Sequence, residues 1–150
     1  MDGSAETLVL NRERVRRADV EYETADLFAW RPQRRYDVVF FSFWLSHVPR
    51  SHFSSFWALV RSCLAPEGRV FLIDNRLDPV PGALKDPYVV EQGADLQQRR
   101  LADGSQYRVV KVMYEPDELQ QLIDAEGWHA DITATRWFIF GSAVPLPPRA

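Results

Sequence analysis

His47 is the residue of this sequence best placed for acid–base chemistry. It follows a nearly continuous run of apolar and aromatic residues, 36–44, and such a run predicts a strand that is buried on both faces. Open α/β sheets bind ligands at the carboxyl ends of their strands, and imidazole exchanges a proton near neutral pH. His47 is therefore a candidate catalytic base. The alternatives are a side chain that lines a site without reacting and one that only packs.

The other reactive residue types do not form a familiar catalytic pattern. Ser42 and Ser46 lie near His47, but the sequence has no G-x-S-x-G elbow, so a serine hydrolase is not indicated. The spacing of His, Asp and Glu suggests no metal site. Cys63 is the one cysteine, which excludes an intramolecular disulfide. Its position in an apolar helical stripe favours a buried and inert thiol.

The middle of the chain predicts a strand, a helix and a second strand joined by short loops. The helix spans residues 51–64, because its large apolar residues recur at helical spacing and form one stripe. Pro66-Glu67-Gly68 predicts a turn, and residues 69–75 predict another buried strand. A unit of this kind makes a right-handed crossover between parallel strands. The sequence therefore indicates an α/β fold.

The flanking segments are expected to add helices and a hairpin to this unit. Asp103-Gly104 is a strong turn signal, Pro116 suits the first turn of a helix, and Gly127 suits its end. The expected elements are a helix at residues 4–18, a strand at 20–23, a loop at 76–92, a hairpin of 96–101 with 107–114, a helix from 116 to 127, strands at 130–135 and 137–143, and a loose tail at 145–150.

The composition predicts a single globular domain over residues 1–150. The chain is 46% hydrophobic and 26% charged, as globular proteins are. Its net charge of −3 argues against a nucleic-acid partner held by overall charge. No apolar run approaches the ~20 residues of a membrane span, and the N-terminus has no signal-peptide pattern. We therefore expect a cytoplasmic protein with neither a nucleic-acid nor a membrane partner.

Four stretches, taken in order, resemble a known family. They are Asp2-Gly3-Ser4, Ala25-Asp26-Leu27, the run 36–44 followed by Leu45-Ser46-His47, and residues 64–70, which read LAPEGRV. Together they resemble the later two-thirds of a class I S-adenosylmethionine-dependent methyltransferase. The resemblance implies a Rossmann-like three-layer sandwich with a mostly parallel sheet and an antiparallel C-terminal strand pair. It also implies S-adenosylmethionine as cofactor and a small-molecule methyl acceptor.

The same resemblance implies roles for individual residues. Asp2 would hold the cofactor ribose, although it stands beside the first residue and could be frayed. Asp26 would meet the adenine amino group, or else cap its own loop, and Leu27 would pack on the adenine or fill core. His47 would lie in the loop that faces the methyl group. The implied cofactor-binding residues are Asp2, Gly3, Ser4, Asp26, Leu27, Ser42 and Phe43.

The sequence departs from the family at the cofactor's Gly-rich loop. None of its seven glycines forms the G-x-G turn through which the backbone approaches the cofactor. The family's first strand, the neighbour of the 36–44 strand, also has no counterpart. We expect a fragment or a late start, with impaired cofactor binding. The unpaired edge would join a second copy in a homodimer or pair with the strand before it. The alternative function is a non-catalytic interaction or assembly module.

Overall fold

The computed structural model describes residues 1–76, 95–100 and 103–147. The chain divides into two compact units, Met1–Arg34 and Arg35–Ala150. Apart from Arg76, the expected loop at 76–92 lies outside the described residues, as do residues 148–150 of the expected tail. A search of the described helices for one with the length and apolarity of a membrane span finds none.

The described elements follow one another in an α/β order. In chain order they are α1 (Ala5–Val15), β1 (Tyr36–Ser42), α2 (Phe53–Cys63), β2 (Leu64–Asn75), β3 (Leu96–Arg100), β4 (Gln106–Val110), α3 (Pro116–Ala125), β5 (Trp128–Ala134) and β6 (Phe138–Pro145). Two 3-10 turns, Leu45–His47 and Arg50–His52, connect β1 to α2.

The first unit contains α1 and one short pairing. The Ser4 hydroxyl caps the helix by accepting the Thr7 N–H at 3.1 Å. The helix ends at Val15 rather than at the expected residue 18, because Arg16 adopts a left-handed φ of 50°. The expected strand at 20–23 is wrong. This part of the chain pairs through a single parallel bridge, Asp2 with Thr24, which is too short to propagate a strand.

The second unit is built on a four-stranded sheet in the order β1-β2-β6-β5. Strands β1 and β2 are parallel, as the crossover predicts, and β6 is antiparallel to both β2 and β5. The α/β fold class is confirmed. Strands β3 and β4 form a separate antiparallel hairpin, with Gly104 at a φ of 85° in its turn, as the Asp103-Gly104 signal predicts.

Helices α2 and α3 pack on one face of the sheet and build the core. Phe41 of β1 meets Phe56 and Trp57 of α2 edge-on, with ring centroids 5.4 and 6.2 Å apart. Trp57 in turn contacts Trp128 of β5 at 4.9 Å. Fully buried Leu119 and Ile123 anchor α3. This face therefore holds the apolar contacts that stabilise the unit.

The opposite face of the sheet is exposed, which corrects the prediction for the first strand. Residues 36–44 were expected to be buried on both sides, but Val38 is 51% exposed and Phe40 is 63% exposed. The reason is that both helices of the unit pack on the face of Phe41. We call the exposed side the open face; its large apolar residues are Val38, Phe40, Phe71, Phe138, Phe140 and Val144.

Two further boundaries differ from the sequence expectations. Pro66-Glu67-Gly68 does not separate helix and strand, because β2 already begins at Leu64 and absorbs the turn as an irregularity in its pairing with β1. A Cβ on Gly68 would lie 2.9 Å from the Tyr36 carbonyl oxygen, so only glycine permits that approach. Pro145, expected to begin a loose tail, ends β6, and the Leu146 N–H donates to the Gly127 carbonyl at 2.9 Å.

Three polar side chains, Ser46, Asp74 and Lys111, are buried together, and we call them the Ser46 cluster. The Ser46 N–H and hydroxyl donate to the two Asp74 carboxylate oxygens at 2.9 and 2.8 Å. Lys111 Nζ donates to Ser46 Oγ at 2.6 Å and lies 3.5 Å from Asp74 Oδ1. The ammonium compensates a carboxylate that would otherwise be buried without a counter-charge.

Tyr114 is a buried hydroxyl outside this cluster. Its ring lies 6.1 Å from that of Phe53 and under the Arg50 guanidinium at 5.1 Å. Its Oη has no hydrogen-bond partner among the described residues. Burial raises the pKa of Tyr114 to about 12, and the positive charge of Arg50 opposes that shift. Burial therefore favours the neutral phenol.

Lys111→Met is expected to lower the free energy of unfolding by roughly 3 kcal/mol, because it leaves the Asp74 carboxylate buried without its counter-charge. Adding Asp74→Asn is expected to restore part of that loss. The matched control is Glu115→Gln, which breaks the exposed Arg76–Glu115 ion pair and is expected to cost less than about 1 kcal/mol. Urea denaturation measures all four proteins. Equal losses of unfolding free energy in Lys111→Met and Glu115→Gln would contradict the assignment of Lys111 as the counter-charge of Asp74.

Tyr114→Phe is expected to change stability in a pH-dependent way. The folded-state pKa lies above the unfolded value, so the stabilisation is complete below about pH 10 and is lost as pH rises toward about 12. Between those limits the wild type should lose roughly 1.4 kcal/mol per pH unit relative to the variant. Urea midpoints at pH 9 and 11 measure this, with exposed Tyr107→Phe as control. A stability difference between the wild type and Tyr114→Phe that is the same at pH 9 and pH 11 would contradict the raised pKa of Tyr114.

Candidate functional site

The turn after β1 carries the candidate residues of the second unit. Ser42 ends the strand and is exposed. Phe43 then adopts a left-handed φ of 53°, which costs a non-glycine residue about 1–2 kcal/mol. Its N–H donates to the Ile73 carbonyl at 2.8 Å, and its exposed ring contacts Phe138 edge-on. This backbone reversal directs the chain from β1 into the turn Leu45–His47.

His47 is half-buried and oriented by the β3–β4 hairpin. Its Nδ1 lies 2.7 Å from the Val110 carbonyl oxygen at the end of β4. A carbonyl oxygen can only accept, so Nδ1 carries the proton and the neutral ring has its lone pair on Nε2. This arrangement fixes the tautomer that a general base would need.

The Ser46 cluster fixes the position of the turn Leu45–His47. Ser46 immediately precedes His47, and Asp74 binds both its backbone N–H and its hydroxyl. The Val112 N–H donates to the Ser46 carbonyl at 2.7 Å. The turn is thus bonded to the end of β2 and to the segment after β4, which restricts the position of the His47 backbone.

Sequence reasoning missed Asp74 and Lys111. Each carries a signal that could have found it. Asp74 is an acid at the carboxyl end of a buried strand, and Lys111 is a lone cation within the apolar run VVKVMY. Buried charges in apolar surroundings are paired, so the two could have been matched in advance.

A second set of bonds connects the same turn region to the start of β3. The Arg50 N–H donates to Asp95 Oδ2 at 3.0 Å, and the Lys111 N–H donates to the Asp95 carbonyl at 2.8 Å. Arg50 also pairs with Glu118 of α3 at 3.0 Å. The hairpin is therefore attached beside the His47 turn through both backbone and side chains.

In the first unit the structure brings the two acidic loops side by side. The Asp2 N–H donates to the Glu23 carbonyl, and the Ala25 N–H donates to the Asp2 carbonyl. Asp2 Oδ1 accepts the Ser4 N–H at 2.8 Å. Asp2 is not frayed, because these bonds hold its backbone, and its Oδ2 has no hydrogen-bond partner among the described residues.

Asp26 caps its own loop, as the structural alternative predicts. Its Oδ1 accepts the Phe28 N–H at 3.0 Å, and its carbonyl accepts the Ala29 N–H. The side chain is nonetheless exposed, and Oδ2 has no hydrogen-bond partner among the described residues. Leu27 beside it is half-buried. Gly3 lies against this loop, where a Cβ would meet the Ala25 carbonyl oxygen at 3.8 Å.

The predicted site residues thus fall into two groups, each assembled within its own unit. Asp2, Gly3, Ser4, Asp26 and Leu27 belong to the first unit, and Ser42, Phe43 and His47 belong to the second. Their roles remain predictions. In the described residues, no group of three or more His, Cys, Asp or Glu could hold a metal ion. Cys63 is buried, as predicted, and burial raises the pKa of its thiol.

The chain is similar to proteins whose structures were solved in complex with SAH or SAM. It is 34% identical to DhpI in a structure described as a DhpI–SAH complex, with a TM-score of 0.79 over 98% of this chain and 64% of that chain. A structure described as a DhpI–SAM–HEP complex gives 35% identity and a TM-score of 0.80, over 95% and 65% of the two chains. The chain therefore spans somewhat less than two-thirds of this relative. A scan of family models and a search of curated proteins each gave no match.

A more distant similarity shows the same fold. An S-adenosylmethionine-dependent methyltransferase from Clostridium acetobutylicum ATCC 824 is 11% identical, with a TM-score of 0.69 over 97% of this chain and 73% of that chain. The PH0226 protein from Pyrococcus horikoshii OT3 is 15% identical, with a TM-score of 0.74. The resemblance predicted from the four sequence stretches is confirmed. This chain has the fold of the class I S-adenosylmethionine-dependent methyltransferases.

Proposed function

We propose that this chain is part of an enzyme that transfers a methyl group from S-adenosylmethionine to a small-molecule acceptor. The observation that carries the proposal is the 34–35% identity to DhpI, which is described in complexes with SAH and with SAM and HEP. The chain covers 64–65% of that relative. When bound, the cofactor supplies a methyl group on a positively charged sulfur.

The nucleoside of the cofactor would be held by the two acidic loops of the first unit. Asp2 is assigned to the ribose hydroxyls and Asp26 to the adenine amino group. Each carboxylate uses Oδ1 within its own loop and has Oδ2 without a partner in the described residues, and both side chains are exposed. A carboxylate oxygen accepts hydrogen bonds from hydroxyl and amino groups alike. Asp2 and Asp26 are therefore chemically suited to bind the ribose hydroxyls and the adenine amino group of the cofactor. Gly3, Ser4 and Leu27 are assigned as their neighbours in the same site.

In the second unit, Ser42 and Phe43 remain the proposed cofactor contacts and His47 the proposed base. Methyl transfer depends chiefly on alignment, and a base is needed only where the acceptor loses a proton. Because His47 Nδ1 donates to the Val110 carbonyl, Nε2 is the ring nitrogen assigned to take up the proton. The acid–base step of the proposal is the movement of one acceptor proton to that atom.

The acceptor is proposed to be a small molecule rather than a nucleic acid. The net charge of −3 gives no broad positive surface for phosphates. After β1 the sequence continues FWLSHVP, without the N/D-P-P-Y type of stretch. Cofactor binding is proposed to be weak, because no G-x-G turn is present to approach the cofactor closely.

A second candidate function is a non-catalytic assembly module. The observation that favours it is the exposed apolar surface of the open face, which suits protein contacts. The two candidates differ in whether the acidic loops bind the cofactor at all.

Titration of the 150-residue chain with S-adenosylhomocysteine, followed by amide NMR, separates these candidates. We expect a Kd on the order of 1 mM and shift changes at Asp2–Ser4 and Asp26–Leu27. Asp26→Asn should weaken binding roughly 10-fold, since hydrogen bonds to charged groups contribute about 1.5–3 kcal/mol. The matched control is Asp103→Asn, because Asp103 also caps its own exposed turn through Oδ1.

Three outcomes of that titration would overturn parts of the proposal. No shift changes at these loops up to about 5 mM would exclude the enzyme assignment and leave the assembly module. Micromolar binding would contradict the expected impairment. Equal losses in Asp26→Asn and Asp103→Asn would exclude Asp26 as an adenine contact.

A further inference from the structure

Strand β5 ends the sheet on the side away from β1, since the strand order is β1-β2-β6-β5. Its seven residues, Trp128–Ala134, pair with β6 on one side. The backbone groups that point away from β6 therefore lie outside the hydrogen-bond ladder of the sheet. An edge strand of this kind is a template for pairing with another chain.

Two side chains of α3 occupy outward N–H groups of this edge. The Ala130 N–H donates to Asp124 Oδ1 at 2.9 Å, and the Ile132 N–H donates to Gln120 Oε1 at 3.2 Å. Residues 130 and 132 are two apart in the strand, so their N–H groups point to the same side. Gln120 and Asp124 are four apart in the helix, so their side chains share a face. The two spacings match two acceptors to two donors.

These bonds use the groups that an added strand would need. A strand adds to a sheet edge through main-chain hydrogen bonds, some of which it accepts from the outward N–H groups. Here the acceptors for those groups already come from the same chain. Helix α3 also packs along β5, and the side chains of Ala130 and Ile132 are buried. An incoming strand would have to displace both side-chain acceptors from a packed position.

Asp131 lies between the two bonded residues, at the centre of β5, and is exposed. If two copies of β5 paired antiparallel about a two-fold axis, the symmetric register would set Ala130 opposite Ile132 of the second copy. The same register would set Asp131 opposite Asp131. Like charges directly opposite each other destabilise a strand pair. The side chain at the centre of β5 therefore also opposes the pairing of two copies.

We propose that Gln120 and Asp124 of α3 close the β5 edge to strand addition by a second copy of this chain, and that the charge of Asp131 adds to the barrier. The contact is autoinhibitory, because one element of the chain occupies the hydrogen-bonding groups through which another would associate. The proposal does not depend on the methyltransferase assignment, since it uses no residue of the proposed cofactor site.

Amide hydrogen exchange of the full 150-residue chain tests whether the two side chains occupy the edge. In Gln120→Ala/Asp124→Ala, the amides of Ala130 and Ile132 should exchange roughly 10-fold faster or more than in the wild type, because they lose their acceptors. The Asp131 amide, which points toward β6, should keep its rate. Equal acceleration of all three amides would indicate a general loss of stability and would overturn the proposal, as would no acceleration.

Sedimentation velocity tests whether the opened edge associates. The edge variant combines Gln120→Ala/Asp124→Ala with Asp131→Asn. The matched control combines Asp131→Asn with Asp117→Ala/Gln121→Ala, which removes an Asp and a Gln, also four apart on α3, that make no hydrogen bond to the described residues of β5. At about 100 μM the edge variant should associate more strongly than the wild type, and the control should not. Circular dichroism verifies that both remain folded.

Thr133→Lys identifies the edge that carries the association. Thr133 is exposed on β5, and a lysine on an edge strand opposes its pairing. Added to the edge variant, Thr133→Lys should restore wild-type sedimentation. Pairing through the β1 edge, the expected site of a homodimer, would not respond to Thr133→Lys, and that result would overturn the proposal. An edge variant that sediments like the wild type, or one that associates no more than its control, would also overturn it.

Discussion

The arrangement of the His47 turn and its neighbouring segments in the second unit depends on one buried carboxylate. Asp74, at the end of β2, accepts hydrogen bonds from the backbone and hydroxyl of Ser46, and Lys111 supplies the compensating charge. A charge in this position is costly unless every partner is present. The turn after β1, the end of β2 and the segment after β4 are therefore held in one arrangement. The orientation of His47 follows from that arrangement, since Val110, the last residue of β4 and the neighbour of Lys111, presents its carbonyl to the His47 ring.

The second constraint is that helices α2 and α3 pack on the same face of the four-stranded sheet. Both helices of the unit pack on the face of Phe41 and Trp128, and their aromatic contacts form the core. The opposite face keeps exposed Phe residues on three strands and polar residues on the fourth. The face with the helices therefore supplies the apolar contacts that stabilise the unit.

Local signals predicted local structure well. Asp103-Gly104 and Pro116 act through their own backbone preferences, and the hairpin and α3 lie where those preferences indicate. Local preferences could not show which face of β1 is buried, because that depends on where the helices pack. The strand expected at 20–23 failed because its one pairing, from Asp2 to Thr24, is too short to extend. The Ser46 cluster joins residues 28 and 65 positions apart, a distance over which no spacing rule operates.

Hydrogen exchange of two backbone amides tests the role of the cluster most directly. The Ser46 N–H donates to the buried Asp74 carboxylate, and the Val112 N–H donates to the Ser46 carbonyl. If the cluster fixes the His47 turn, both amides should exchange as slowly as that of Leu72 in the centre of β2, because all three open only with the core. Exchange as fast as that of Gly104, in the exposed hairpin turn, would show that the turn moves freely and would contradict the account.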